Sequence, residues 1–337
     1  MATSPPPPLN LCVVLSESKR IINAHSRHFL ALSVLFLLPL SFSFIVFPTL
    51  QNLLTDPTPN NSKIFINLSD SGPLDDPSII PTKTLLLALA YGIFTFVFSV
   101  CAAGSITYSV FHGFYGRPVK LISAIKSVFS SFFSLSGTVL LANLFLSIIV
   151  IILAMFVFLV ISLVQLMGFQ IETSSPFVIG FFVAIMILFG VVCLHLQVNW
   201  ILVYVIVVVE SRWGLESLRR SVSLIKGLKG VAISLLLFFG FFASVVLFWS
   251  SSYSAVDLNI NTDGWKSWGF VVQIVGTSTF LTLVLLYYFA ANTVLYMYCK
   301  AVHGELAMEI AEEFAREYVS LPFDDGKVPH VVSVACP

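Results

Sequence analysis

Six long apolar runs constrain this chain more than any other feature of its sequence. About 20 apolar residues cross a hydrocarbon core roughly 30 Å thick, and lone strands would leave unpaired backbone groups in that core. We therefore predict that the runs are helices and that the chain is an all-α polytopic membrane protein with six transmembrane helices. The predicted spans are Phe29–Leu50, Thr84–Phe111, Leu135–Met167, Phe177–Val209, Val231–Trp249 and Gly269–Cys299.

Composition excludes two broad classes of protein. Hydrophobic residues make up 58% of the 337 residues and charged residues only 10%, whereas soluble domains carry about 25% charged residues. This excludes a soluble enzyme. The 17 Lys and Arg residues are balanced by 17 Asp and Glu residues. The chain lacks the basic excess that binds phosphates, so we expect no nucleic-acid partner.

The distribution of Lys and Arg predicts the orientation of the spans. Of the 17 basic residues, 14 fall on one side of the predicted membrane, in both termini and the second and fourth connections. Cytosolic segments carry the excess of basic residues, so both termini are predicted to be cytosolic. The chain then divides into a cytosolic N-terminal segment 1–28, a six-helix membrane domain 29–299, and a cytosolic acidic helix and tail 300–337.

The first non-cytosolic loop carries two N-x-[ST] sequons, at Asn60 and Asn67, which are predicted glycosylation sites. The first span is too long and begins too far into the chain for a cleaved signal peptide. We interpret it as an uncleaved signal anchor that directs the chain to the endoplasmic reticulum or another endomembrane.

A basic amphipathic helix is predicted before the third span. Apolar residues recur at helical spacing from Leu121 to Phe132, and Pro118 suits the first turn of a helix. We expect this helix to lie in the membrane interface, separate from the span. Lys120 and Lys126 would then face anionic lipid headgroups.

The fourth connection repeats this pattern. Leu215 and Leu218 begin an apolar stripe, Glu216 and Arg220 are spaced to pair one turn apart, and Gly227 ends the helix. The basic residues predicted to face lipid here are Arg219, Arg220 and Lys226.

An acidic helix is predicted in the C-terminal segment 301–319. Leu306, Ile310 and Phe314 repeat on one face, while five Glu residues occupy much of the rest. Acidic side chains disfavour an anionic bilayer. We therefore expect this helix to pack on the chain's own basic helices or to bind a soluble cytosolic protein partner.

Few polar residues interrupt the spans. His195 and Asn199 lie one turn apart in the fourth span, and we expect interhelical hydrogen bonds typically worth about 0.6 kcal/mol each; a polar binding pocket is the alternative. Asn292 lies between Tyr288 and Tyr296 on a stripe of the sixth span that we interpret as a packing seam. The sequence lacks nucleotide-binding, metalloprotease and hydrolase motifs, so we expect no catalysis, cofactor or metal.

Two stretches carry a family resemblance. The segment LCVVLSESKRIINAH precedes a span containing LFLLPLS, and the fourth span ends in VVE before SLRRSVSLIKGLKG. This layout resembles a family of plant multi-pass membrane proteins of uncharacterised function. It is distantly similar to the integral-membrane domain of some glycerophosphodiester phosphodiesterases. The resemblance implies a six-span helical fold without catalysis, because the phosphodiesterase chemistry belongs to a separate soluble domain. The matching positions are Glu210, Gly214, Ser221, Lys226 and Gly227.

Three classes of function fit these observations. The favoured hypothesis is a non-enzymatic integral membrane protein that organises membrane lipid or recruits partners through cytosolic amphipathic helices. The alternative is a carrier or channel for a lipid-like or small neutral solute, which would need a continuous polar cavity through spans three, four and six. A membrane-embedded enzyme would need His195, or the group His112, His303 and Glu305, to converge with further ligands.

Overall fold

A computed structural model describes residues 9–55, 82–117, 119–166, 176–260 and 268–311, which form helices and turns without a strand among them. A last helix, α11, occupies 305–311, where the described residues end. The other elements are α1 Leu11–Ala24, α2 Ser26–Leu32, a π-helical turn Ser33–Leu37, α3 Leu38–Thr55, α4 Thr82–Phe114, α5 Leu121–Leu166, α6 Pro176–Trp200, α7 Val203–Val209, α8 Leu215–Leu224, α9 Lys229–Ile260 and α10 Trp268–Val302.

Within the described part of the chain, six stretches are helical, long and apolar enough to cross a membrane. Each overlaps one predicted span, which confirms the all-α polytopic fold. The observed stretches are Ser26–Pro48, Thr84–Phe114, Leu121–Leu163, Gly180–Val209, Lys229–Ser251 and Val271–Val302.

Helix α5 corrects one prediction. The expected interface helix and the third span form a single helix of 46 residues, about 69 Å long at 1.5 Å per residue. Nothing at the predicted boundary between Phe132 and Leu135 stops the helix, and the lone exposed Gly137 that follows costs only about 1 kcal/mol. The residues before Phe133 are therefore a continuation of the span and not a separate surface helix.

The fourth predicted span is interrupted where the sequence shows no breaker. Helix α6 ends at Trp200, a turn occupies Ile201 and Leu202, and α7 begins at Val203. Both turn residues are buried. The interruption therefore lies inside the packed part of the bundle, where its backbone groups need partners from other helices.

Buried side chains concentrate at one end of the bundle, where α1, α8 and α11 meet the ends of the long helices. We call this the charged end and the opposite end the apolar end. Helix α1 packs there on α10, α4 and α9, and a side chain at Gly113 of α4 would meet Ile21 of α1 at 3.0 Å. The fully buried residues Ile106, Leu202, Leu224 and Leu295 belong to the main hydrophobic core of the bundle.

The apolar end is open by comparison. In the second half of α5, Ile151, Met155 and Phe158, which share one face of the helix, are 61, 64 and 68% exposed. Helix α5 packs on α4, α7 and α8. Near the α7–α8 turn, a side chain at Gly214 would come within 4.0 Å of Leu141. Residues 144–163 of α5 therefore include no buried side chain, and the least exposed of them, such as Leu146, Leu153 and Val157, are half-buried.

Candidate functional site

A buried carboxylate organises the charged end. Glu210, at the end of α7, has a side chain only 12% exposed. Its Oε1 accepts a hydrogen bond of 2.8 Å from the Tyr296 hydroxyl of α10. Its Oε2 lies 3.4 Å from the Nε atoms of both Arg212 and Arg220. One side chain thus joins the end of the fourth span to α8 and to the sixth span.

The network continues from α8 into the C-terminal helix. Arg220 donates through Nη2 to the Glu305 carboxylate of α11. This hydrogen bond raises the pKa of Arg220 and lowers the pKa of Glu305. Lys300, 6% exposed, donates to Glu309 of α11 at 2.8 Å and lies over the Tyr296 ring. Two carboxylates therefore attach the first turn of α11 to the membrane domain.

These contacts correct two predictions for α8. Glu216 pairs with Arg212 at 2.9 Å and not with Arg220. Arg220, predicted to face lipid, instead turns inward to Glu210 and Glu305. The reason is tertiary structure: the two carboxylates next to Arg220 come from the end of α7 and from α11, and they pair with its partly buried guanidinium.

Hydrogen bonds to the backbone also hold α8 in place. We call these bonds, together with the ion pairs around Glu210 and Arg220, the junction. Ser221 of α8 donates to the Asn199 carbonyl at 2.7 Å, which satisfies a carbonyl at the interruption between α6 and α7. The Gly214 N–H donates to Thr138 Oγ1 of α5 at 2.9 Å. Gly214 and Gly227 have φ of +69° and +91°, a conformation that favours glycine. The turns that flank α8 therefore depend on these two residues.

Four of the five positions that carry the family resemblance build this junction. Glu210 is the carboxylate at its centre, Ser221 bonds to the interrupted helix, and Gly214 and Gly227 allow the turns. Lys226 is exposed. The resemblance thus rests mainly on residues that determine local structure.

Four of the predicted lipid-facing residues lie on the surface. Lys120, Lys126, Arg219 and Lys226 are exposed, and no ion pair joins them to another residue in the described part of the chain. Large apolar side chains are exposed on the same helices and the loop before α8. These are Ile122 at 79%, Phe129 at 74%, Phe133 at 83%, Trp213 at 68% and Leu215 at 61%.

The polar residues predicted inside the spans differ in their burial. His195 is exposed, whereas Asn199, one turn away, is 8% exposed. The Asn199 backbone, not its side chain, makes the hydrogen bond to another helix. Asn292 is fully buried in α10, next to the side chains of Tyr204 and Tyr288.

The histidines considered for catalysis bond to their own helices. His112 Nδ1 lies 2.9 Å from the Tyr108 carbonyl, and His303 Nδ1 lies 2.8 Å from the Cys299 carbonyl. No group of three His, Cys, Asp or Glu residues in the described ranges could hold a metal ion. The sequons at Asn60 and Asn67, and Phe314 of the predicted tail helix, lie outside the described residues.

Sequence reasoning missed the Glu210–Tyr296 contact, which joins residues 86 positions apart. The available signal was the position of Glu210, a single carboxylate that ends an apolar span. A charge in this position usually has a partner, and Arg212 was the nearest candidate. The sequence did not indicate that Tyr296 and Arg220 would join it.

Comparisons with known proteins identify a family but no described function. A family model described as "Domain of unknown function (DUF8558)" matches residues 8–327, so the chain belongs to this family. No curated protein matches the chain, and no solved structure matches it.

Proposed function

We propose that this member of the DUF8558 family is a non-enzymatic membrane protein that organises anionic lipid at its charged end. The observation that carries the proposal is the different placement of two adjacent residues. Arg220 is held between Glu210 and Glu305, while Arg219 is exposed and has no ion pair with a described residue. The ion pairs of Arg220 with Glu210 and Glu305 hold α8 in place. The neighbouring Arg219 remains available to contact lipid headgroups.

The surface around the available cations suits a bilayer interface. Trp213 and Leu215 are exposed at the start of α8, and Ile122 and Phe129 are exposed on the helix that carries Lys126. Aromatic and aliphatic side chains beside Lys and Arg are typical of segments that enter the headgroup region. Each basic residue near an anionic surface contributes about 1 kcal/mol of attraction.

We propose that the charged end faces the cytosol of an endomembrane such as the endoplasmic reticulum. The support is the predicted excess of Lys and Arg on that side, which is also the side that meets anionic lipid in cells. Protease protection of tags at each terminus in sealed microsomes tests this. Both tags should be digested, and Asn60 and Asn67 should carry any glycan. A protected tag would overturn the orientation.

Recruitment of a protein partner by the C-terminal helix is a second candidate function. Met308 and Ile310 of α11 are 66 and 37% exposed, which leaves apolar surface for a partner. In contrast, Leu306 packs on the main core, and Glu305 and Glu309 are engaged with Arg220 and Lys300. We therefore favour lipid as the ligand of the charged end and internal docking for the start of α11.

The test measures lipid binding by the full-length protein. Protein in detergent is titrated with nanodiscs of phosphatidylcholine alone or with added phosphatidylserine, and binding is followed at increasing salt. The proposal predicts tighter, salt-sensitive binding to the anionic discs. Replacing the four available cations by glutamine should abolish this preference. The four substitutions are K120Q, K126Q, R219Q and K226Q.

A charge-retaining variant serves as the matched control. The set K120R, K126R, R219K and K226R changes the same positions but keeps every positive charge, so its preference for anionic discs should be unchanged. Equal binding of the unmodified protein to both kinds of disc would overturn the proposal. Preference for phosphatidylserine that survives the glutamine set would also overturn it.

A further inference from the structure

Two basic side chains at the charged end are paired with the same short helix. Arg220 donates to Glu305, and Lys300 donates to Glu309 at 2.8 Å. The two glutamates are four residues apart in α11, so they lie on one face of it. The hydrogen bond from Arg220 lowers the pKa of Glu305 most, and the charges of Arg220 and Lys300 lower it further. Both cations therefore act on the same region, and we call Arg220 and Lys300 together the anion site.

Residues outside α11 hold the anion site in place. Arg220 Nε lies 3.4 Å from Oε2 of Glu210, and Lys300 Nζ lies 5.5 Å from the centre of the Tyr296 ring. Tyr296 in turn donates to Glu210 at 2.8 Å. These contacts would keep the two cations in position if α11 moved away, which makes the site preorganised for an anion.

The start of α11 combines its ion pairs with little apolar burial. Leu306 packs on the main core, whereas Met308 and Ile310 are exposed. The two glutamate side chains are 33 and 44% exposed, so water can solvate them readily once α11 leaves. The cost of displacing α11 therefore falls mainly on the anion site, because a partly buried cation that loses its partner is costly. Another anion bound there would offset this cost.

The charges at the anion site identify the class of ligand. Displacing α11 removes two negative charges from the site and leaves Glu210, which Arg212 shares. A phosphate monoester carries about −1.5 to −2 charges near neutral pH, so one such group replaces both carboxylates. A guanidinium binds phosphate oxygens as it binds carboxylate oxygens, through strong charge-assisted hydrogen bonds. We propose that the anion site binds a phosphate monoester, such as the headgroup of phosphatidic acid, and that the two carboxylates of α11 occupy the site until the phosphate displaces them.

The position of the anion site favours a lipid as the source of the phosphate. Lys300 lies close to the end of the sixth apolar stretch, Val271–Val302, where a span reaches the level of the headgroups. Basic pockets at this level bind phosphorylated lipid headgroups. This inference rests on the proposed function, because it assigns a second contact with anionic lipid to the charged end. It uses two cations that are distinct from the four proposed above to bind lipid.

Removing the carboxylates of α11 tests this inference. The full-length protein in phosphatidylcholine nanodiscs is titrated with short-chain phosphatidic acid, and the affinity is measured by calorimetry. The variant E305Q/E309Q should bind this lipid several-fold more tightly than the unmodified protein, because no internal carboxylate competes for the anion site. Adding R220Q and K300Q should remove the gain.

The variant E17Q/E216Q is the matched control. It also removes two carboxylates, from pairs with Arg20 and Arg212, and so has the same net charge as E305Q/E309Q. Because it leaves the anion site occupied by α11, its affinity for phosphatidic acid should equal that of the unmodified protein. A gain as large as that of E305Q/E309Q would reduce the effect to net charge and overturn the inference.

Two further ligands distinguish the sources of phosphate. Inorganic phosphate that shows the same gain with E305Q/E309Q would support the site and identify free phosphate as its ligand, whereas a gain with phosphatidic acid alone would identify the lipid. Short-chain phosphatidylserine contains a phosphate diester and should show a smaller gain. An equal gain with phosphatidylserine would overturn the assignment to a phosphate monoester.

Spin labels measure the displacement of α11 with every charged residue in place. Labels at M308C on α11 and S223C on α8, both exposed positions, should move apart when phosphatidic acid is added. An unchanged distance at saturating phosphatidic acid, or an affinity gain that survives R220Q and K300Q, would overturn the inference. Either result leaves the preference for phosphatidylserine discs untouched, since that preference depends on other cations, so the two proposals are decided separately.

Discussion

The charged end and the apolar end of this protein are built by different forces. At the charged end, Leu202 and Leu224 are 0 and 1% exposed, whereas at the apolar end Leu159 and Phe158 of α5 are 55 and 68% exposed. Lipid tails are as apolar as leucine, so burying such side chains against each other inside a membrane yields little hydrophobic stabilisation. Apolar composition therefore makes these helices insert, but it does not by itself make them pack.

The residues that distinguish the charged end are polar. Ser221 and Thr138 bond to backbone groups of other helices, and Glu210 joins Tyr296 and two arginines. Interhelical hydrogen bonds and ion pairs fix helices relative to one another where apolar contacts alone do not. The comparison thus teaches that most of the contacts that specify the fold lie at the charged end. Toward the other end, α3, α9 and α10 still pack through Ile45, Val246 and Leu281 and through the Thr282–Ser41 hydrogen bond.

The largest difference between the two ends should appear when a leucine is truncated. We expect Leu202→Ala to destabilise the protein by about 3 kcal/mol, because it opens a cavity in a packed core. Leu159→Ala should change stability by less than about 0.5 kcal/mol, as an exposed position does. Thermal unfolding of both variants in nanodiscs of one lipid composition measures the difference. Equal losses would show that both ends are packed.

Removing the central carboxylate should have the next largest effect. Glu210→Gln leaves Arg220 with one carboxylate and disturbs the Tyr296 contact, and we expect a loss of about 2 kcal/mol. Glu216→Gln is the matched control, because Glu216 is 65% exposed in its pair with Arg212 and such pairs contribute about 0.5 kcal/mol. Chemical denaturation of both variants measures the difference. If Glu216→Gln lowered the stability as much as Glu210→Gln does, the central role of Glu210 would be contradicted.

A smaller loss is expected at the interruption between α6 and α7. Ser221→Ala removes the donor to the buried Asn199 carbonyl and should cost about 1 kcal/mol. Ser223→Ala is the control: the Ser223 hydroxyl donates to the Arg220 carbonyl of its own helix and the residue is exposed, so its effect should stay within about 0.5 kcal/mol. The midpoints of thermal unfolding are compared. Indistinguishable midpoints would mean that Ser221 does not stabilise the interruption.

The smallest effect should be a pH dependence of α11 docking. The hydrogen bond from Arg220 lowers the pKa of Glu305 below its ordinary value of 4.5. A carboxyl whose pKa is lower when folded stabilises above the ordinary pKa and loses this contribution as pH falls through the folded pKa. The stability difference between the unmodified protein and Glu305→Gln should therefore shrink below about pH 4.5. When Arg220 is replaced by Gln, this pH dependence of the stability difference should disappear. If it persisted, it would arise from a group other than the Arg220–Glu305 pair.

The six spans were predictable because insertion depends on local composition. Each apolar run is visible in a single stretch of sequence, and every one corresponds to an observed helix or pair of helices. Gly227 and the limits of α8 were predictable for the same reason. Local sequence also suggested a separate helix before Leu135, which was wrong because nothing between Ser134 and Gly137 is strong enough to stop α5.

The contacts of the charged end could not be predicted because they depend on residues far apart in the chain. Arg219 and Arg220 are chemically identical neighbours, and their roles differ because Glu210 and Glu305, the latter 85 positions away, lie beside the second. The interruption at Ile201 is similar. Its sequence is uniformly apolar, and its partner Ser221 comes from the next helix.

A spin-label scan along α5 tests the difference between the two ends most directly, since this one helix passes through both. Single cysteines are labelled from residue 121 to 163 in a background without native cysteines, and oxygen accessibility is measured in nanodiscs. We predict a helical periodicity in the first part, with minima at Ala124, Val128 and Leu135, which are 0, 4 and 1% exposed. From residue 144 onward, accessibility should not fall to these minima at any position, because the side chains there are half-buried or exposed. Minima as deep as those of the first part that recur about every 3.6 residues up to residue 163 would contradict the account, because they would mean that the second half of α5 is buried against another helix.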